Sequence, residues 1–346
     1  MVAKLAPRKE AVLRIIVREY IAKAIPVASE VIYRNYRLGV SPATIRNDMA
    51  YLGEEGYIIR PHTSAGGIPS DKGYRYYVES LSGEDIELPL DEQCFIRGLF
   101  YEADREFERW VKLATTLLAG LVQNAAVITF PRVAQCRFRH LELIAVHEFL
   151  TLMVLVLSGA ILKRQLLSFD EPVTQEQLTS FANKLNAGYA GLSNSEILSR
   201  SRKLGLSPRE QQVAGVVADV MSAEDEMEYD EPYLDGLRFM LNQPEFGQSD
   251  RMLGIMELME GKDRLKPIFR HELAEEGVHV MIGEENQETV LRDLSLVSSR
   301  YGVPYGIGGD IGVIGPTRMD YGRTISTVRY LALVLSELFA GVYRDG

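Results

Sequence analysis

One segment restricts the fold more than any other: Val40 to Tyr76, VSPATIRNDMAYLGEEGYIIRPHTSAGGIPSDKGYRY. Ser41 is a good N-cap, and Pro42 at the first helical position forfeits only an amide that would be unpaired anyway. Ile45, Met49 and Leu52 follow at i, i+4, i+7, the spacing of one buried helix face, and Gly56 supplies a left-handed stop. Tyr57-Ile58-Ile59 is a short β run, Ser64-Ala65-Gly66-Gly67 a turn, and Ile68-Pro69 a return strand whose proline suits an open edge. A cap at Ser70 or Asp71 then starts a helix with Tyr74, Tyr77, Val78 and Leu81 on one face. Upstream, Val12, Ile15, Ile16 and Tyr20 predict an amphipathic helix over Arg8 to Ala24 that Pro26 ends. Ser29 caps a second short helix that closes near Gly39. Three helices followed by a β-ribbon predict a winged-helix DNA-binding module over residues 1–82.

The chemistry of the third helix fits that reading. Thr44, Asn47 and Tyr51 lie opposite the apolar stripe, flanked by Ala43, Arg46 and Ala50. Arg grips guanine O6/N7 in a bidentate manner, Asn does the same for adenine, and small Ala and Thr permit close approach to a base edge. Ser41, Thr44, Arg46, Asn47 and Tyr51 are therefore the candidate groove contacts. Arg60, His62, Thr63 and Ser64, near the wing tip, are candidates for phosphate or the minor groove. The bland alternative is a solvated helix face, with the tyrosines of the next helix packing the wing onto the body.

Charge bears on the same question. The chain of 346 residues carries a net charge of −10, which argues against nucleic acid until its distribution is read. Residues 1–80 hold twelve Lys/Arg against eight Asp/Glu, a net of +4, and the remainder carries −14. A basic module on an acidic body still attracts phosphate, because the field that counts acts within about 10 Å. The longest apolar run, Leu150 to Leu157, falls far short of the ~20 residues of a membrane helix, and Met1 to Pro7 lacks the apolar stretch of a signal. Only Cys94 and Cys136 occur, too few for a disulfide framework. A cytoplasmic protein without a membrane partner is the expectation.

The rest of the chain predicts an α+β body. Leu88 to Leu121 is largely helical in pattern. Phe138 to Leu143, Leu150 to Leu157 and Ile161 to Phe169 read as hairpin-spaced strands, and Val278 to Ile282, Leu294 to Ser298 and Gly312 to Gly315 as further strands. The chain closes on a helix, Arg323 to Val342, with a stripe of Val328, Leu331, Leu335, Leu338 and Val342. Between the two β groups, Leu192 to Gly261 is mainly helical and rich in Met, with Met221, Met227, Met240, Met252, Met256 and Met259 as core filler or an adaptable surface. A helical block that interrupts a sheet reads as an insertion.

The segment VSPATIRNDMAYLGEEGYI followed by RPHTSAGGIPSDKGYRYYV resembles the heat-inducible transcription repressor family HrcA. Leu241 to Phe246 (LNQPEF), Ile282 to Asn286 (IGEEN) and Gly312 to Tyr321 (GVIGPTRMDY) resemble further motifs of that family, in the same order. The resemblance implies a GAF-like antiparallel-sheet domain over 83–191 and 265–346, interrupted by an inserted dimerising domain over 192–264. It also implies a homodimer that binds double-stranded DNA at a CIRCE-type inverted repeat, represses chaperone operons until heat stress, and is modulated by the chaperonin GroEL. Two departures stand out. Gly67 lies where the family usually has a wing arginine, and Gly53 where an acidic residue is common.

Catalysis is not expected, nor a cofactor or metal. His271 and Glu275 share a helical spacing near that of a zinc protease but lack a third ligand, and the glycine-rich run Gly306 to Gly312 reads as strand-connecting turns. The alternative function is a winged-helix regulator that senses a small molecule through its GAF-like domain.

Overall fold

The computed structural model describes residues 5–60, 66–81, 86–103, 106–133, 136–158, 161–201, 203–226, 232–247, 254, 256, 277–286, 291–303 and 307–344. The chain forms two compact units. The first comprises Met1–Phe130, Glu231–Tyr301 and Asp310–Glu337, and the second Pro131–Asp230, Gly302–Gly309 and Leu338–Gly346.

The first unit begins with α1 (Pro7–Lys23), α2 (Ser29–Asn35), α3 (Pro42–Glu54), β1 (Ile58–Ile59), β2 (Ile68–Pro69) and α4 (Asp71–Ser80). Val12, Leu13, Ile16 and Val17 of α1 and Ile32 of α2 are buried completely, as are Ile45 and Leu52 of α3. The helical spacing read from the sequence is thus the spacing of the core. β1 and β2 pair antiparallel, Ile58 opposite Pro69 and Ile59 opposite Ile68, and Val27 adds a single bridge to Gly67. Tyr74 and Tyr77 of α4 are buried, and so is Tyr76, whose hydroxyl donates to Glu10 (3.1 Å) and whose ring meets that of Tyr57 edge-on. Gly73 is glycine because α4 crosses the chain at Tyr57 so closely that a Cβ would run into its carbonyl oxygen.

The helical stretch after the module divides into α5 (Leu90–Glu102) and α6 (Phe107–Val122). There follow β3 (Ala125–Ile128) and, in the second unit, β4 (Arg132–Val133), β5 (Phe138–His147), β6 (Leu150–Leu157), β7 (Leu162–Ser168), α7 (Gln175–Tyr189), α8 (Asn194–Ser201) and α9 (Pro208–Glu226). The first unit resumes with β8 (Tyr233–Asp235), α10 (Leu237–Leu241), β9 (Val278–Ile282) and β10 (Leu294–Gly302), and the chain ends with β11 (Ile307–Pro316) and α11 (Tyr321–Arg344). One sheet has the strand order β8-β3-β11-β10-β9, with β4 paired to the start of β11. Ala125, Val127, Leu294, Leu296 and Ile314 pack beneath it with Met240 and Phe246. Gly308, Gly309 and Gly312 lie inside strand β11 and not in turns. α11 has the length and hydropathy of a membrane span, yet Val328, Leu331 and Leu335 are fully buried in the protein's own core.

In the second unit β5, β6 and β7 form an antiparallel sheet. Its inner face, Leu141, Leu143, Met153, Leu155, Leu157 and Leu167, is covered by Leu178, Leu185 and Tyr189 of α7, Ile197 of α8, and Val213, Val217 and Met221 of α9. This differs from the division read from the sequence. The strands assigned to the sheet domain over 83–191 close their core with α7–α9, and Pro131–Asp230 fall together in one compact unit. β8, α10 and the Pro244–Phe246 turn return to the first unit. Of the methionines in that stretch, Met221 and Met240 are core residues and Met256 is exposed, while Met227, Met252 and Met259 lie outside the described residues.

Asp310 introduces a pH dependence. Its backbone exchanges hydrogen bonds with Thr129, donating to Oγ1 (2.8 Å) and accepting from N (2.9 Å). Burial pushes its carboxyl up to about 6, and the charge of Arg300 opposes the shift only in part. A folded pKa above the unfolded value means that the native state holds the proton longer, so stability falls as pH rises from about 4 to about 6. Asp310→Asn is expected to stabilise the protein above pH ~6 and to flatten that slope, as read by denaturant titration across the interval. An unchanged slope counts against the assignment.

Candidate nucleic-acid interface

α3 is built to present a polar face on a fixed core. Ser41 Oγ accepts from Thr44 N (3.2 Å) and lies 3.0 Å from Thr44 Oγ1, so both residues serve the helix start and Thr44 is half-buried. Ile45, Met49 and Leu52 point inward as expected. Ala43, Arg46 and Asn47 are exposed on the opposite side, with Ala50 half-buried beside them. The far end is closed by Gly56 in the left-handed region (φ 75°) and by Lys72 Nζ, which donates to the Glu55 carbonyl (2.7 Å). A cation at a helix C-terminus complements the helix dipole.

Two contacts on α3 were not read from the sequence. Asp48 is buried and receives Arg8 Nε (2.7 Å) and Nη2 (3.0 Å), a bidentate fork from α1. Lys9 Nζ sits 3.1 Å from the centre of the Tyr51 ring, which is partly exposed. Tyr51 therefore offers a groove its edge and hydroxyl, with one face already covered by α1. The clue in the sequence was a carboxylate next to Met49 on the apolar side of the helix, since a buried charge requires a partner.

The wing root departs from expectation. Gly67 exchanges backbone hydrogen bonds with Val27, donating at 2.9 Å and accepting at 3.0 Å. A Cβ at Gly67 would meet Ile58 Cδ1 at 2.8 Å and Met49 Cε at 3.3 Å, and one at Gly66 would sit 2.5 Å from the Val27 carbonyl carbon. Position 67 thus faces the core, and its glycine does not by itself remove an outward contact. Gly53 leaves α3 unbroken, its Cβ direction meeting the Ile58 carbonyl at an ordinary 3.9 Å. Arg60 is half-buried where β1 ends, and its Nε has no hydrogen-bond partner among the described residues. His62, Thr63 and Ser64 lie outside the described residues, as do His271 and Glu275. Among the described residues no three His, Cys, Asp or Glu side chains gather into a metal site.

Residues 35–71 match the family model described as the DeoR-like helix-turn-helix domain, and residues 108–325 the HrcA protein C terminal domain. The chain is 48% identical over 339 residues to the heat-inducible transcription repressor HrcA of Dehalococcoides mccartyi (strain ATCC BAA-2266 / KCTC 15142 / 195), covering 98% of this chain and 97% of that protein. It is 41% identical over 358 residues to the protein of the same name from Chloroflexus aurantiacus, covering 99% and 96%. A crystal structure described as that of a hypothetical protein shares 26% identity at a TM-score of 0.57, covering 97% of this chain and 98% of that one.

The Arg8–Asp48 fork makes the seating of α3 testable. Asp48→Ala removes the fork's acceptor inside the core and is expected to lower the melting temperature by a few degrees. A thermal scan that shows no change would mean that Arg8 and Asp48 do not hold α3.

Proposed function

The chain belongs to the HrcA family of heat-inducible transcription repressors, and on that footing we propose that it represses chaperone operons by binding a CIRCE-type inverted repeat as a homodimer, until heat stress relieves it. The observation that carries the reading is α3: a capped helix, pinned by Asp48, that turns Arg46 and Asn47 outward beside small Ala43. In this reading Arg46 and Asn47 read base edges, Ser41, Thr44 and Tyr51 fix the helix in the groove, and Arg60, His62, Thr63 and Ser64 engage the backbone from the wing. The protein then works in the cytoplasm, on the chromosome.

The dimer reading is supported by the outer face of the second unit's sheet. Ile144, Leu152 and Leu166 stand directly opposite one another across β5, β6 and β7. Ile144 and Leu166 are 46% and 58% exposed, and Leu162 a further 55%. An apolar row of this kind on a three-stranded sheet marks an interaction surface, and two-fold pairing there matches the symmetry of an inverted repeat. Dimerisation is thus proposed for the unit Pro131–Asp230. An unpaired protomer leaves this apolar face uncovered, a surface of the kind a chaperonin holds, and GroEL is proposed as modulator on that ground.

Asn47→Ala is expected to cost about 1–3 kcal/mol of discrimination between the inverted repeat and random DNA, measured by competition binding. Equal losses on both would remove Asn47 from base reading. Leu166→Glu is expected to shift the protein toward monomers in analytical ultracentrifugation and to weaken operator binding in parallel. A dimer of unchanged strength would move the interface elsewhere.

A further inference from the structure

Three motifs outside the winged helix converge on it. Arg318, in the turn before α11, sends Nη1 to the carbonyl of Ile21 in the last turn of α1 (2.6 Å). Its Nε and Nη2 fork onto Glu245 at 2.5 and 3.3 Å, and its side chain is only 13% exposed. Gln243 accepts from the same guanidinium at 3.5 Å. A second grip holds α4. Arg75 forms a bidentate pair with Glu285 and donates to the Val280 carbonyl (2.6 Å), while Asp71 accepts the backbone N–H of Glu284 (3.0 Å). Gly283, in the left-handed region at φ 53°, has no room for a Cβ beside the Asp71 carboxylate. Between the two grips the buried rings of Tyr74 and Tyr321 meet at 5.8 Å.

The stretches Leu241–Phe246, Ile282–Asn286 and Gly312–Tyr321 thus supply the carboxylate, the loop and the guanidinium of these two grips. They hold the first helix and the last helix of the DNA module against the sheet domain. α3 in turn is tied to α1 by the Arg8–Asp48 fork and to α4 through Ser70, which caps α4 at Gly73 N (3.1 Å) and donates to the Gly56 carbonyl (2.6 Å). A continuous chain of polar contacts, part-buried at Arg318 and Asp48 and exposed at Ser70 and Glu285, runs from the sheet domain to the reading helix. Separate surface ion pairs contribute little, but forks that also cap a helix end fix orientation.

We propose that Arg318 and Arg75 are positioning residues for operator recognition: they touch no DNA, and they set the angle at which each protomer of a dimer presents α3 to its half-site. The proposal rests on the dimeric, inverted-repeat reading above. Two half-sites are read together only when the reading helices stand one helical turn, or a multiple of it, apart on one face of the duplex. A module that swings on its tether loses the effective concentration that joins the second half-site to the first, with each half-site contact intact.

The test uses the full-length protein and a series of inverted repeats whose spacer is lengthened or shortened by single base pairs, together with an isolated half-site. Arg318→Ala and Arg75→Glu are expected to weaken binding to the preferred repeat by about tenfold or more, to leave half-site binding within about twofold, and to flatten the dependence on spacer length. Arg75→Glu combined with Glu285→Arg re-forms the pair with its charges exchanged and is expected to restore the spacer preference. Variants that keep the wild-type spacer preference overturn this inference alone. So do variants that lose half-site and full-site binding in equal measure, because that is simple damage to the module. A wild-type protein with no preference for the inverted repeat over the half-site overturns the dimeric reading and this inference with it.

Discussion

An α-helix ends in carbonyls that its own backbone cannot satisfy, and where they find partners fixes what the helix is attached to. In α1 the N–H of Ala24, in a left-handed conformation, closes back on the Tyr20 carbonyl (2.8 Å), while the Ile21 carbonyl accepts a hydrogen bond from Arg318, 297 positions further along the chain. The first helix of the protein is therefore completed by a residue near its last. Arg318 needs Glu245 to offset its own burial, and Glu245 is held by the short Pro244–Phe246 turn against the sheet core. Helix end, guanidinium and carboxylate form one unit spread over three distant segments.

The local parts of the winged helix were legible because each follows from a rule that acts within a few residues. Ser41 and Pro42 start α3, Gly56 stops it, and the stripe Ile45, Met49 and Leu52 faces inward. The long-range parts were not. Nothing near Asp48 in sequence announces Arg8, and nothing near Arg75 announces Glu285. The same limit explains the Gly67 result. The sequence places it on a wing, but only the bridge to Val27 shows that its Cβ direction points at Ile58 and Met49.

The compact units of the body divide it differently from the reading of the sequence, for a related reason. β5, β6 and β7 have hairpin spacing and read as members of a larger sheet, whereas β3 is a four-residue apolar run only two residues past the end of α6. Which strands share a sheet is decided by which faces bury each other. The alternation along β6 leaves Met153, Leu155 and Leu157 for α7–α9, so these strands complete a core without the other sheet. Helices that resembled a separate insertion are the other half of that core.

The ion pairs on the DNA module also bear on how its grip should respond to salt. Of its twelve Lys and Arg residues, Arg8, Lys23, Arg34 and Arg75 are already held by Asp48, Glu19, Glu30 and Glu285. Each cation so held is one fewer to displace condensed counterions from a duplex, and takes about 0.9 from the steepness of log affinity against log salt. A protein so constituted owes its hold on an operator less to the release of ions than to the fit of two fixed surfaces, and should tolerate changes in ionic strength better than a uniformly basic domain would.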